Sequence, residues 1–411
     1  MKPWKANYTA LLIAETLAVA GFGISNPITP LFLSEDLGIT DPQTLKIWSG
    51  IIQSSSSVTL ALFAPIWGHL ADKYSRRLML LRAMFLGGVI VALIPLTNAP
   101  WQVLILRTIQ GCFVGTVSAA TVLAAGIAPA AQVALALGLL QTGVSIGNSL
   151  GPLFGGVVSD FFGRRIAFLF TSLILVIAGL IVLKWVEDDT RPRPPKGEKV
   201  KKGITSDMGI IFASPVLLAL MAVSFSIQTS SSIITPILPL FVRELAAGSR
   251  YVGSATGIVL GVGAATTALA TFLVGKYASR LGYWKTLIFC LAAGCVLSFP
   301  QIFVTNITQL TVMRSMAMFF IGGAIPVLNA IIAVTVDRDK QGIVYGFNTS
   351  FSNAGAALGP VIGSVTAAVF SFRSVFAVTA LILGFSASVT VWRRKKYLKM
   401  REEENQDNPV S

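Results

Sequence analysis

Apolar runs long enough to cross a bilayer recur twelve times along this chain, and no other feature restricts its fold as strongly. They lie at roughly 8–33, 47–70, 79–97, 101–126, 133–158, 164–186, 214–242, 251–275, 286–304, 308–333, 343–370 and 374–392. A run of about 18 or more apolar residues is a transmembrane candidate. In hydrocarbon only a helix or a closed barrel satisfies every backbone polar group. Charged residues make up 12% of the chain, about half the usual share of a soluble protein. The connections between runs are too short for a soluble catalytic domain. The first run does not read as a signal peptide: it is too long, Glu15 interrupts it, and no small-residue cleavage site follows. The expected fold is an all-α integral membrane protein with twelve transmembrane helices.

The net charge of +14 invites a nucleic-acid reading, but its distribution points elsewhere. An even number of spans puts both termini on one side. That side carries Lys2 and Lys5, the 71–82 loop, the 184–211 segment, the 276–285 loop, Arg338, Lys340 and the tail from Arg393. Together these hold 24 of the 32 Lys and Arg, against Lys46, Arg164, Arg165, Arg243, Arg250 and Arg373 opposite. The bias predicts cytoplasmic termini in the inner (cytoplasmic) membrane, with the basic segments near anionic headgroups. The lipid bilayer, not nucleic acid, is the implied partner. Cys112, Cys290 and Cys295 all fall in spans, no CxxC occurs, and His69 is the single histidine. Neither a disulfide framework nor a metal site is indicated. No GxSxG and no GxxxxGK[ST] is present, so no enzyme and no cofactor is expected.

The chain repeats itself at one offset. "NPITPLFLSEDL" (26–37) returns as "TPILPLFVREL" (235–245), Arg107 as Arg314, and "GNSLGP" (147–152) as "GAALGP" (355–360), all displaced by 207–209 residues. The expected organisation is therefore two pseudo-symmetric six-helix bundles, at 1–186 and 212–392. A charged, proline-rich cytoplasmic linker at 187–211 joins them, and a basic tail, 393–411, forms a membrane-edge helix and then a disordered end. Two such halves match a known transporter plan, in which substrate binds at their interface near the midplane.

Three stretches carry a family resemblance over essentially the whole length. "GHLADKYSRRLML" (68–80) resembles the signature loop between helices 2 and 3 of the major facilitator superfamily, with Ser75 where a second glycine is usual. "LRTIQG" (106–111) resembles the helix-4 motif of its proton-coupled members, and "GNSLGPLFGG" (147–156) the helix-5 motif of its drug:proton antiporters. The chain looks most like the bacterial twelve-helix multidrug-efflux branch. The resemblance implies a proton-coupled antiporter that exports hydrophobic or cationic small molecules by alternating access. Its partners would be substrate and protons, and it would act as a monomer. A metabolite, sugar or lysolipid cargo on the same scaffold stays open, and a membrane sensor leaves the repeat unexplained. One proton entering down 100 mV releases ~2.3 kcal/mol, enough for a gradient of nearly 50-fold, since each ~1.4 kcal/mol is tenfold.

The glycines of the helix-5 motif have a physical reading. Gly143, Gly147, Gly151 and Gly155 recur every fourth residue, which lays a bare stripe on one helix face. Such stripes let backbones approach closely in lipid. Pro152, beside Gly156 in the same motif, adds a bend, and Gly355, Gly359, Pro360 and Gly363 repeat the pattern on helix 11. Both are expected as interface helices that slide or bend, with static close packing as the alternative. In the 68–77 loop, Asp72 stands among Lys73, Arg76 and Arg77. The resemblance implies that the acid pairs with these groups and faces a helix N-terminus, which favours a carboxylate, so closing a cytoplasmic gate. The plainer reading is a solvated basic loop.

Two charges lie inside spans. Arg107 is six residues past Trp101, about 9 Å from the helix end, so it either snorkels or acts inside the membrane. The resemblance assigns it a proton-coupling role. Glu15 lies about 10 Å from the end of helix 1 if that helix starts near Tyr8. It belongs to no carried-over motif, and is either a carboxylate reaching water at the cytoplasmic mouth or a proton carrier or cation anchor. Candidate substrate contacts are Asn26, Gln53, Gln110, Gln141, Gln228, Asn329, Asn348 and Asn353 and the serine runs 54–57 and 230–232. Each taken singly is as readily helix–helix glue.

Overall fold

The computed structural model describes residues 4–73, 75–188, 214–246, 248–336 and 340–407. These residues are helical throughout, apart from short turns and connections, and contain no strand. The first six spans are α1 (Trp4–Glu35), α2 (Pro42–Lys73), α3 (Arg76–Leu93), the pair α4 (Pro100–Phe113) and α5 (Thr116–Ile127), α6 (Val133–Phe162) and α7 (Arg164–Trp185). The last six are the pair α8 (Pro215–Ser232) and α9 (Leu238–Leu245), α10 (Val252–Leu281), α11 (Tyr283–Ser298), α12 (Ile307–Thr335), α13 (Gln341–Val369) and α14 (Phe372–Asp407). The expected linker falls almost wholly outside the described residues. The tail does not stop being helical where the span ends: α14 runs unbroken to Asp407.

Several helices start on a side-chain cap. The Thr44 amide donates to Asp41 at 2.8 Å, Leu78 to Ser75 at 3.0 Å and Gln309 to Asn306 at 2.9 Å. These satisfy N–H groups that have no partner within the helix. α10 is different: Tyr251 stands at its N-cap position and supplies no side-chain cap.

Two spans are broken, and they are not repeat-related. Span 4 breaks at Val114–Gly115, where Gly115 has φ +153°, a conformation side chains rarely tolerate. Span 7 breaks between Ser232 and Leu238, where Pro236 and Pro239 remove donors. Their repeat partners, α12 and α1, stay whole. α1 does so despite Pro27 and Pro30.

Within the first half α1 packs on α6 and α7. Within the second, α8 packs on α13, and α12 on α10 and α11. The two most extensive contacts between the halves are α6 with α10 and α2 with α13, and the repeat maps one onto the other. Ten spans are apolar enough by length and composition to cross a membrane. The two that are not, α2 and α13, are the serine- and asparagine-rich pair that pack on each other between the halves.

The cores show which end is closed. Toward the side that bears the termini, each half has its own cluster: Leu11, Leu123 and Leu140 in one, Leu220, Leu287 and Ile331 in the other. Toward the far side the clusters cross over. Leu31 packs with Ile233 and Phe241, and Leu240 packs with Phe32 and Phe168. Arg243 reaches back to Ser34 at 2.6 Å and to Glu35 at 4.0 Å. Glu35 and Asp36 in turn hold Arg164 at 2.6 and 2.7 Å. Among the described residues, the core clusters that join the halves lie on the far side.

Candidate functional site

Glu15 sits on the face of α1 that carries Leu11, Ala14 and Ala18 into the first-half core. Its side chain is 0% exposed. Because α1 begins at Trp4 rather than near Tyr8, Glu15 lies about 16 Å along the helix, deeper than the sequence spacing suggested. Thr116, at the start of α5, faces it. Neither carboxylate oxygen completes a hydrogen bond, and no described cation forms an ion pair with it. Glu15 is thus a carboxyl enclosed in an apolar core, with Thr116 as the polar side chain beside it.

The break in span 4 positions that site. α4 is tied to α2: Thr59 Oγ1 donates to the Thr108 carbonyl at 3.0 Å, and Trp67 Nε1 to the Cys112 carbonyl. α5 packs instead against α1, α3 and α6. The turn at Gly115 lets the two segments serve different neighbours and brings Thr116 to Glu15.

Arg107 is 4% exposed, so it does not snorkel. Its guanidinium donates to Gln110 Oε1 at 3.1 Å, to the Ser25 carbonyl at 3.1 Å and to Thr29 Oγ1 at 2.6 Å. These bonds clamp α4 to the proline-bearing part of α1. They also separate Arg107 from Glu15. Ser25 is ten residues further along α1, about 15 Å. At an effective dielectric near 20 the two charges would interact by only about 1 kcal/mol. Arg314, the repeat partner, is buried on α12, and the neighbouring Ser315 hydroxyl has no partner.

Three of the polar candidates meet in the second half. Gln228 on α8, Asn329 on α12 and Asn348 on α13, with Ser224, Tyr345 and Ser352, line a pocket of about 250 Å³. Asn348 Nδ2 donates to Asn329 Oδ1 at 3.3 Å and Tyr345 Oη to the Asn329 carbonyl at 2.8 Å. The buried Asn348 Oδ1 is left without a donor. Asn26 and Gln53 are half-buried elsewhere, Gln110 is committed to Arg107, and Gln141 is exposed on α6. A larger apolar cleft, about 430 Å³ between α10 and α12, is lined by Val262, Val312, Met316 and Phe319 and holds no charged side chain.

The glycine stripe does pack closely, but its partner is α1 in its own half. A Cβ on Gly147 would lie 2.8 Å from the Thr16 carbonyl, on Gly151 2.5 Å from that of Ala20, and on Gly155 2.8 Å from Ile24 Cα. The joint between the halves uses another face of α6. There the carbonyls of Ser149, Pro152 and Gly156 abut Gly261, Gly257 and Gly253 of α10. At the related joint a Cβ on Gly50 would meet the Pro360 carbonyl at 2.8 Å. Gly253, Gly257 and Gly261 escaped the sequence reading, although their spacing of four is the same signal, and Gly50 recurs as Gly257 at the repeat offset. Gly257→Leu is expected to prop this joint open and lower transport about tenfold while the protein still inserts. Wild-type efflux by the variant would show that the joint need not close.

In the 68–77 loop, Arg77 donates through Nε to the Val182 carbonyl at 3.4 Å and through a second nitrogen to that of Leu183, and its amide donates to Asp188 at 3.3 Å. It caps the end of α7 within its own half. Arg76 opens α3. The Asp72 side chain lies outside the described residues.

A family model described as Major Facilitator Superfamily matches residues 11–304 and 254–409. A protein named multidrug resistance protein MdtG from Enterobacter lignolyticus is 32% identical over 388 residues, 94% of this chain and 92% of that one. Its namesake from Serratia proteamaculans is 30% identical over 405 residues, 98% of each. Among solved structures, a bacterial homolog of the human lysosomal transporter Spinster, in an inward-facing and unoccupied conformation, superposes with a TM-score of 0.79 at 16% identity, over 97% of this chain and 98% of that one. The nucleoside transporter NupG gives 0.74 at 14% identity, over 93% and 98%. The last two likenesses concern the fold alone.

Proposed function

The chain belongs to the major facilitator superfamily, and from that premise we propose that it is a proton-coupled antiporter exporting hydrophobic or cationic small molecules by alternating access. The observation that carries this reading is Glu15: a fully buried carboxylate with neither oxygen satisfied, in a family of membrane transporters. The likeness to proteins named for multidrug resistance supports the cargo class. The pocket of Gln228, Asn329 and Asn348 offers the substrate neutral hydrogen-bonding groups. In the first half, Gln110 is bound to Arg107, which is assigned to hold α1 and α4 together so that coupling survives movement. The basic termini side is assigned to the cytoplasm, which makes the present state inward-facing. The substrate path runs between the two halves of one chain, which suits a monomer in the cell membrane. Asp72, Arg76 and Arg77 are assigned to the cytoplasmic gate that forms in the opposite state.

The test is efflux from a host stripped of its own pumps, using a panel of lipophilic cations and neutral drugs. Expression is expected to raise resistance to several of them, and a protonophore to abolish the gain. Unchanged susceptibility across the panel, or efflux indifferent to the protonophore, would overturn the proposal.

A further inference from the structure

The first N–H groups of a helix have no partner within it, and α10 begins without a side-chain cap of its own. Its missing cap is supplied by the other half. Asp160, near the end of α6, accepts the Gly253 amide at 2.9 Å and the Ser254 amide at 2.6 Å, one on each carboxylate oxygen. The approach needs glycine: a Cβ on Gly253 would lie 2.6 Å from Asp160 Oδ1. At the repeat-related joint the same thing happens at the opposite pole of a helix. α13 ends at Val369, and the Ala367 carbonyl in its last turn accepts from Lys46 Nζ of α2 at 3.0 Å. Lys46 also lies 4.3 Å from the centre of the Phe372 ring. An anion thus meets the positive end of one helix and a cation the negative end of another. Both contacts cross between the halves, both lie on the far side, and both charges come from the first half.

We propose that Asp160 and Lys46 are paired helix-end latches that hold the far side closed and set the ratio of inward-open to outward-open molecules. This rests on the alternating-access reading, since a latch has meaning only if the halves rock. Opening the far side strips each helix end of its cap and returns it to water. Loss of one cap is expected to change the ratio about tenfold.

The test uses the purified full chain with Cys112, Cys290 and Cys295 replaced by serine. Spin labels are introduced through Phe162→Cys with Ser249→Cys at one joint, and through Gln43→Cys with Phe370→Cys at the other. All four positions are exposed. Distances across each joint are measured with and without tetraphenylphosphonium. Asp160→Ala and Lys46→Met are each expected to raise the long-distance population about tenfold at both joints, and the double variant to multiply the effects. Asp160→Asn keeps one accepting oxygen but loses the charge and turns an NH2 toward the second amide, and is expected to open the joint less than Asp160→Ala. Wild-type distances in both single variants would overturn the latches, as would Asp160→Asn opening the joint as far as Asp160→Ala. If no variant and no condition ever lengthens the distances, the rocking motion itself is what fails.

Discussion

Glu15→Gln is expected to abolish the proton release that a lipophilic cation triggers from purified, weakly buffered protein. The wild-type carboxyl is 0% exposed, with no hydrogen-bond partner for either oxygen. On the proposed mechanism this carboxyl carries the proton until a positive charge arrives. A bound cation then favours the carboxylate, and the proton leaves. Glutamine has the shape of the neutral acid and cannot titrate, so the exchange stops at its first step. Export of cations driven by the proton gradient is expected to fall to background, while neutral compounds keep some export. Arg107→Ala is the instructive companion. Arg107 lies about 15 Å from Glu15 along α1 and binds Ser25, Thr29 and Gln110. Its loss should weaken transport of both ligand classes through the joint of α1 and α4, yet leave proton release on ligand binding in place. Proton release from Glu15→Gln equal to the wild type would move the carrier elsewhere.

Gly151→Leu is expected to abolish transport. A Cβ at this position meets the Ala20 carbonyl oxygen at 2.5 Å and Gly23 Cα at 2.9 Å. Both are backbone, so neither can swing aside. The strain falls between α1 and α6, inside the first half. Overpacking of this kind usually costs about 1–3 kcal/mol, and here the whole of α1, with Glu15 on it, must shift. The expected result is an inserted protein of lower thermal stability with efflux at the level of the empty vector. Gly138→Leu, on the same helix where a Cβ would meet nothing within 4 Å, is the control and should transport normally. A stable, active Gly151→Leu would show that the close approach to α1 is dispensable.

Much of the architecture could be read from residues alone, and the reasons for the remainder are specific. The apolar runs are the spans, and the offset of 207 residues relates Gly50 to Gly257 as it does Arg107 to Arg314. A glycine every fourth residue announces that some backbone comes close, but not which one. The stripe at 143–155 therefore looked like a joint between halves and is a joint within one. The breaks were less legible. Paired prolines interrupt span 7 at 236 and 239 yet leave α1 whole at 27 and 30. Beside the prolines of α1, Arg107 binds Ser25 and Thr29. Gly115 breaks span 4 without any proline, and a lone glycine in an apolar run carries no such signal. The depth of Glu15 depended on where α1 starts, and that start lies one turn beyond the apolar run. Gln228, Asn329 and Asn348 sit on three helices far apart in sequence, so only tertiary packing reveals that they share a pocket.

The caps exchanged between the halves also bear on how the chain is made. Asp160 and Lys46 both precede α10 and α13 in the order of synthesis. When the second half leaves the ribosome, the charges that complete its helix ends already stand on a finished first half. The reverse does not hold, because neither contact completes a helix end of the first half. In chain order, then, the groups that complete these two helix ends are made before the helices they complete.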